Sequence, residues 1–143
     1  MTLTTQVTAD DVRRLEAAIA QAPQVDVHTA HNFSGGMYAR TIYLDAGTVL
    51  TGCTHKTDHI NIVIGDISVT TDQGMKRLTG YHVLETKAGM KRAGFAHAAT
   101  AWTTVCKTDH TDIADAENDL VEEADTLQTR RLLTANTLNS LEG

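Results

Sequence analysis

The stretch Gly47-Thr-Val-Leu-Thr-Gly-Cys-Thr-His55-Lys-Thr-Asp-His59-Ile-Asn-Ile-Val-Ile-Gly65-Asp66-Ile-Ser-Val-Thr-Thr71 decides how the chain is read. His59-Ile-Asn-Ile-Val-Ile64 is a β-branched run ended by Gly65-Asp66, and Ile67-Ser-Val-Thr-Thr71 follows it. Upstream, Thr41-Ile-Tyr-Leu44 alternates and stops at the turn Asp45-Ala-Gly47. Downstream, the turn Asp72-Gln-Gly74 leads into Met75-Lys-Arg-Leu78, then Gly80 and Tyr81-His-Val-Leu-Glu-Thr86. Lys87-Ala-Gly89 turns again, and Ala101-Trp-Thr-Thr-Val-Cys106 is the last strand. Short strands punctuated by glycine predict an antiparallel sandwich or barrel. The 23 threonines suit half-exposed strand faces.

Helices flank this body. Thr8 with Asp11 reads as an N-terminal cap, Val12, Leu15, Ile19 and Ala22 recur at helical spacing, and Pro23 ends the run. On the other side Thr111 is the expected cap, with Ile113, Ala116, Leu120, Ala124 and Leu127 on one face. The Leu-containing stretch from Arg130 to Leu141 reads as a tail or a docking segment. The expected organisation is a helical flank over 1–29, a β-barrel over 30–107, and an acidic helix with its tail over 108–143.

A chain of 143 residues suits one domain. Its net charge of −6 and the lack of a Lys/Arg run argue against long nucleic acids as partners. No apolar run is long enough to span a bilayer, so no membrane partner is expected. The start Met1-Thr-Leu-Thr-Thr-Gln has neither a basic region nor an apolar core, which leads to the expectation of a cytosolic protein. Cys53 and Cys106 show no CxxC spacing and read as reduced, buried thiols, Cys53 two residues before His55 being the one that could serve as a ligand. The acidity is unevenly placed: residues 108–143 sum to −7, whereas 30–107 sum to +3 and hold every aromatic ring.

Several side chains in the body could carry chemistry. In an extended strand His55, Thr57, His59 and Asn61 share one face, and two imidazoles there form half of a divalent-metal site. Lys91 and Arg92 point to opposite faces if extended, so one enters the barrel and the other stays at its rim. An inward arginine needs a counter-charge, from Asp58, Asp66 or Glu85, or else an anionic ligand. His97 follows closely, and Trp102 shares a face with Thr104 and Cys106. No nucleophile elbow, phosphate loop or zinc-finger spacing is present.

Two segments resemble the motifs of the cupin superfamily of small jelly-roll barrels. The stretch from Gly47 to Asp66 is similar to the first motif, and Lys87-Ala-Gly-Met-Lys-Arg92 to the second, which normally ends in histidine. The words THKTDHINIVIGDISV, GMKRLTG and GMKRAGFAHAATAWTT also resemble small cupin-like proteins of tailed bacteriophages. The resemblance implies a cupin-like jelly roll, a host-cytoplasmic or virion location, and a metal held by motif histidines. The chain departs from that pattern. His55 and His59 stand three residues apart instead of one, Asp58 or Asn61 falls where the ligand glutamate belongs, and Arg92 takes the second-motif histidine position.

The reading that follows is a mainly β, cupin-like barrel binding a small anionic, nucleotide-type ligand. His55, His59, Arg92, His97 and Trp102 would line the pocket, with Lys91 at the rim. The rivals are a metal-dependent enzyme using His55 and His59 with Asp58 or His97, and a virion scaffold. Each version expects a homo-oligomer, because a small barrel with exposed edges and amphipathic flanks favours pairing.

Overall fold

Thr8 and Asp11 close a capping box, each side chain accepting from the other's backbone N–H, and so begin helix α1 (Ala9–Ala20). A computed structural model describes residues 7–122 of the chain. After α1 the chain is strand-rich: β1 (His28–Ser34), β2 (Met37–Leu44), β3 (Val49–Thr51), β4 (His59–Thr71), β5 (Gly74–Thr86), β6 (Ala93–Ala96) and β7 (Thr100–Lys107). Helix α2 (Ile113–Leu120) follows. The fold is mainly β, a curled antiparallel half-barrel with a helix on either side in sequence.

All strands belong to one sheet, in the order β1-β2-β7-β4-β6-β3, with β5 against the other edge of β4. β4 organises it. Ile60–Ile64 pair with β7, Ile67–Val69 pair with β6, and the whole strand pairs with β5. The change of partner falls at Gly65-Asp66, where the sequence predicts a break. The strand does not break there; it bends. Gly65 has φ +147°, and a Cβ on it would lie 2.7 Å from Ala99 O and closer still to Thr100 Oγ1. The turn from β6 to β7 therefore folds directly over a bare backbone, and His97 N and Ala98 N both donate to Asp66 O.

β1, β3 and β6 are absent from the sequence reading. β1 is polar apart from Ala30 and Phe33 and carries no alternating apolar pattern. β3 and β6 are short and pair with each other, so non-local hydrogen bonds define them. β1 and β2 form a hairpin across the two-residue turn Gly35-Gly36.

The core has two parts. Leu44, Val63, Ile67, Val69, Leu78 and Ala96 fill the closed end. Tyr38, Cys106, Ala116, Leu120 and Val121 form a second cluster where α2 packs on the sheet. α2 is capped by Asp112, not Thr111: the Asp112 side chain accepts from Asp115 N. The helix ends at Leu120 because Val121 turns extended and bridges His55, and Glu122 N donates to Thr54 O. The expected continuation through Ala124 and Leu127, and the Arg130–Leu141 stretch, lie outside the described residues.

Gly65→Ala is expected to cost about 1–3 kcal/mol of unfolding free energy in urea, through overlap with Ala99 and Thr100. Gly80→Ala faces open space and carries only a left-handed φ, +81°, so it should cost about 1 kcal/mol. Equal losses for the two would contradict the packing role given to Gly65.

Candidate functional site

Alternation places a polar row on the concave side of the sheet. His59, Asn61, Val63, Ile67 and Val69 of β4 face in, as do Trp102, Thr104 and Cys106 of β7, and Tyr38 and Arg40 of β2. Between this surface and α2 lies a cavity of about 120 Å³. Asn61 anchors its polar side: its amide donates to Thr104 Oγ1 at 2.9 Å, and its carbonyl accepts from Thr86 Oγ1 at 2.6 Å. Arg92 extends the chain of bonds, donating to Thr86 Oγ1 at 3.1 Å and to Thr70 O at 2.8 Å. A buried network with its members paired holds its side chains in one arrangement.

Two guanidinium groups reach this cavity. Arg92 forms no ion pair among the described residues: Asp66 is taken by Arg77 in a bidentate pair and Asp58 by Lys87. The Nε atoms of Arg92 and Arg40 are both buried with no hydrogen-bond partner. Burial pulls the Arg92 pKa down and the charge of Asp72 opposes this, yet a guanidinium stays cationic at neutral pH. Glu117 of α2 also lines the cavity. With neutral imidazoles, the charged lining is Arg40, Arg92 and Glu117, a net positive surface.

His55 and His59 do come together, with ring centroids 4.1 Å apart. His59 is 8% exposed, and its Nδ1–H donates to Thr57 O at 3.0 Å, which leaves Nε2 as the acceptor nitrogen. Desolvation holds the His59 pKa below the usual imidazole value, and the Arg92 charge pushes the same way. His31, whose Nδ1 meets the Tyr38 hydroxyl at 2.5 Å, is lowered too, by burial first and then by Arg40. Burial raises the Tyr38 phenol to about 12 and the Cys106 thiol to about 11, so both stay protonated at neutral pH.

His55, His59, Arg92 and Trp102 all line the cavity. Lys91 and His97 do not. The Lys91 ammonium is fully buried away from the cavity; it pairs with Glu16 of α1 at 2.9 Å and donates to Gly52 O at 2.9 Å. Instead of standing at a rim, it fastens α1 to the sheet, helped by Thr51 Oγ1, which also donates to Glu16. His97 is exposed, bonded to Ser68 Oγ at 2.7 Å. Sequence reasoning missed Arg40 and Glu117. Arg40 stands two residues from both the buried Tyr38 and the inward Ile42, and that parity was the available signal. Glu117 follows the buried Ala116 and precedes Leu120 by one turn, but an acid in an acidic helix is read as solvated.

Three comparisons bear on the class. No known family's sequence profile matches the chain. No curated protein matches it either. Solved structures do. A cupin superfamily protein from Desulfitobacterium hafniense is similar with a TM-score of 0.50 over 65% of this chain and 87% of that one, at 16% identity. A protein of unknown function from Streptococcus pyogenes has a TM-score of 0.47 at 18% identity, covering 62% of this chain and 80% of the other. A cupin-2 domain of an XRE-family transcriptional regulator from Enterobacter cloacae has 0.47 at 12%, covering 59% and 98%. The fold is thus a cupin-like jelly roll. Among the described residues no helix is long and apolar enough to cross a membrane.

The residues do not fit the metal that the cupin resemblance implies. Arg92, at the second-motif histidine position, is bonded to Thr70 and Thr86. No group of three His, Cys, Asp or Glu side chains converges among the described residues, so His55 and His59 remain a pair.

The two lowered histidines set a pH dependence. The unfolded chain takes up protons near pH 6.5, whereas folded His59 and His31 resist protonation until lower pH. Their stabilising contribution is therefore complete above about pH 6.5 and is lost as pH falls through and below that value. The urea midpoint should be lower at about pH 5.5 than at about pH 7.5, and His59→Gln should flatten the difference. Equal midpoints at both pH values would contradict the buried neutral imidazoles.

Proposed function

We propose that the cavity binds a small anion, a carboxylate or a phosphate, with Arg92 as its principal partner and Arg40 as a second cation. The observation that supports this most directly is the Arg92 guanidinium itself. It is largely removed from water, has no carboxylate partner among the described residues, and lies on the wall of a net positive cavity. Such a charge is costly unless something neutralises it, and a planar donor fork matches a carboxylate or phosphate edge.

The volume narrows the ligand. About 120 Å³ is close to cavities that hold a benzene-sized molecule and below the range of pockets for drug-sized ligands. The anionic group and a few carbon atoms fit inside. A nucleotide would place only its phosphate there, with Trp102 among the lining aromatics for further contact. His59 would supply an acceptor through Nε2 at neutral pH, and Asn61 and Thr86 hold Arg92 in place. The phage-like words in 54–69, 74–80 and 89–104 support reading the protein as a phage-encoded binder that sequesters its ligand in the host cytoplasm.

Isothermal titration with inorganic phosphate, short mono- and dicarboxylates and nucleoside monophosphates tests this. At least one class should bind with a dissociation constant below the millimolar range. Arg92→Met should weaken that binding by about 10- to 100-fold, as expected for loss of a charge-assisted hydrogen-bond pair. His97→Ala should leave it unchanged. The reading is abandoned if no member of the panel binds, or if Arg92→Met binds as well as the parent.

A further inference from the structure

Over 59–64, β4 turns its more apolar side away from the core. Its inward residues include His59 and Asn61, while Ile60, Ile62 and Ile64 face out, Ile60 and Ile64 being 44% and 55% exposed. The pairing registers carry this outward side across the sheet. One row runs Tyr81, Ile64, Ala101, Tyr43, His28. The next runs Val83, Ile62, Thr103, Thr41, Ala30, and the third Glu85, Ile60, Val105, Ala39, Asn32. Tyr81, Val83 and Tyr43 are 64%, 53% and 49% exposed.

We infer that this convex face is the interface of a homodimer, two copies packing sheet against sheet about a two-fold axis. Three observations favour a second copy as the occupant. First, the face carries one charged residue, Glu85, at a corner, so two copies meet without juxtaposing like charges. Second, the polar groups at the centre satisfy each other. Thr41 Oγ1 and Thr103 Oγ1 are 2.7 Å apart in one hydrogen bond, which leaves their methyl groups to face a partner. Third, the area suffices. Strands about 4.8 Å apart and residue pairs about 6.7 Å apart give the three rows a flat extent of roughly 500 Å². Two such faces bury roughly 1,000 Å² before side-chain relief is counted, the size at which specific interfaces begin. A patch of this extent is as large as the largest one on a typical monomer, and patches of that size are often functional. Sheets that pack face to face in this way align their strands within about 30°.

The interface lies on the opposite side of the sheet from the cavity, so dimer formation and ligand binding are separable. The test is the mass of the full-length chain in solution, by light scattering or sedimentation equilibrium, up to about 100 µM. The parent should run at twice the mass of one chain. Ile64→Lys and Val83→Lys, each at a position already half exposed, should raise the dimer dissociation constant roughly 30-fold or more by placing an unpaired cation in the apolar contact. Val25→Lys, 60% exposed outside the sheet, should remain dimeric. Cooperative urea unfolding of each variant confirms that it is folded, and Tyr81→Lys replaces either one that is not. A monomeric parent overturns the inference, as does a dimer that survives the face substitutions. A monomeric parent would leave the face to a different protein or to the chain's own residues beyond Glu122.

Discussion

The bare backbone of Gly65 against Ala99 and Thr100 is the contact on which the arrangement turns. β4 is thirteen residues long and serves two partners in succession, β7 before Gly65 and β6 after it. A side chain at 65 would push the β6–β7 turn away and separate the two halves. With glycine there, Asp66 O accepts from two successive amides of that turn, and its carboxylate holds Arg77 across the β4–β5 pair. The sheet curls as a result, and curling creates a concave side. Cavity and convex face are two consequences of one bend.

The polar character of the concave side follows from what the strands present there. Asn61 is the centre: it receives Thr86, donates to Thr104, and through Thr86 restrains Arg92. Hydrophobic packing fills the closed end, around Val63, Ile67 and Leu78, and a second, smaller cluster lies under α2. Towards α2 the same strands carry histidine, asparagine and arginine, groups that cost free energy to desolvate and that a ligand can repay by bonding to them. The cavity also differs from the metal sites implied by its fold resemblance, because arginine stands at a ligand position and, among the described residues, no third His, Cys, Asp or Glu converges with the two imidazoles.

Much of the fold could be read from residues alone. The β-branched run at His59–Ile64, the alternation at Tyr81–Thr86 and the capping pair Thr8/Asp11 all appear where local chemistry puts them. β3 and β6 could not be found, since each is stabilised by the other across more than forty residues. The candidate site was partly legible. His55 and His59 do meet, but across a bend at Lys56-Thr57 with Thr57 exposed, not along one extended strand as period-two spacing predicts. Lys91 and Arg92 point to different surroundings, as alternation predicts. Arg92 was expected to line the pocket and does; the burial of Lys91 was not legible. Lys91 is buried against Glu16, a residue seventy-five positions earlier, and no local pattern marks that pairing.

The sequence by itself determined where the longer strands β2, β4, β5 and β7 run and which of their side chains share a face, because both depend on neighbours a few residues apart. It could not determine which face is inside. On the first half of β4, hydropathy alone would assign Ile60, Ile62 and Ile64 to the core and His59 and Asn61 to water, and the tertiary structure reverses this, whereas Ile67 beyond Gly65 is buried. The reversal comes from the curl at Gly65 and from the order in which β7, β5 and β6 close around β4. Those are non-local pairings, and they decide burial for the whole strand at once.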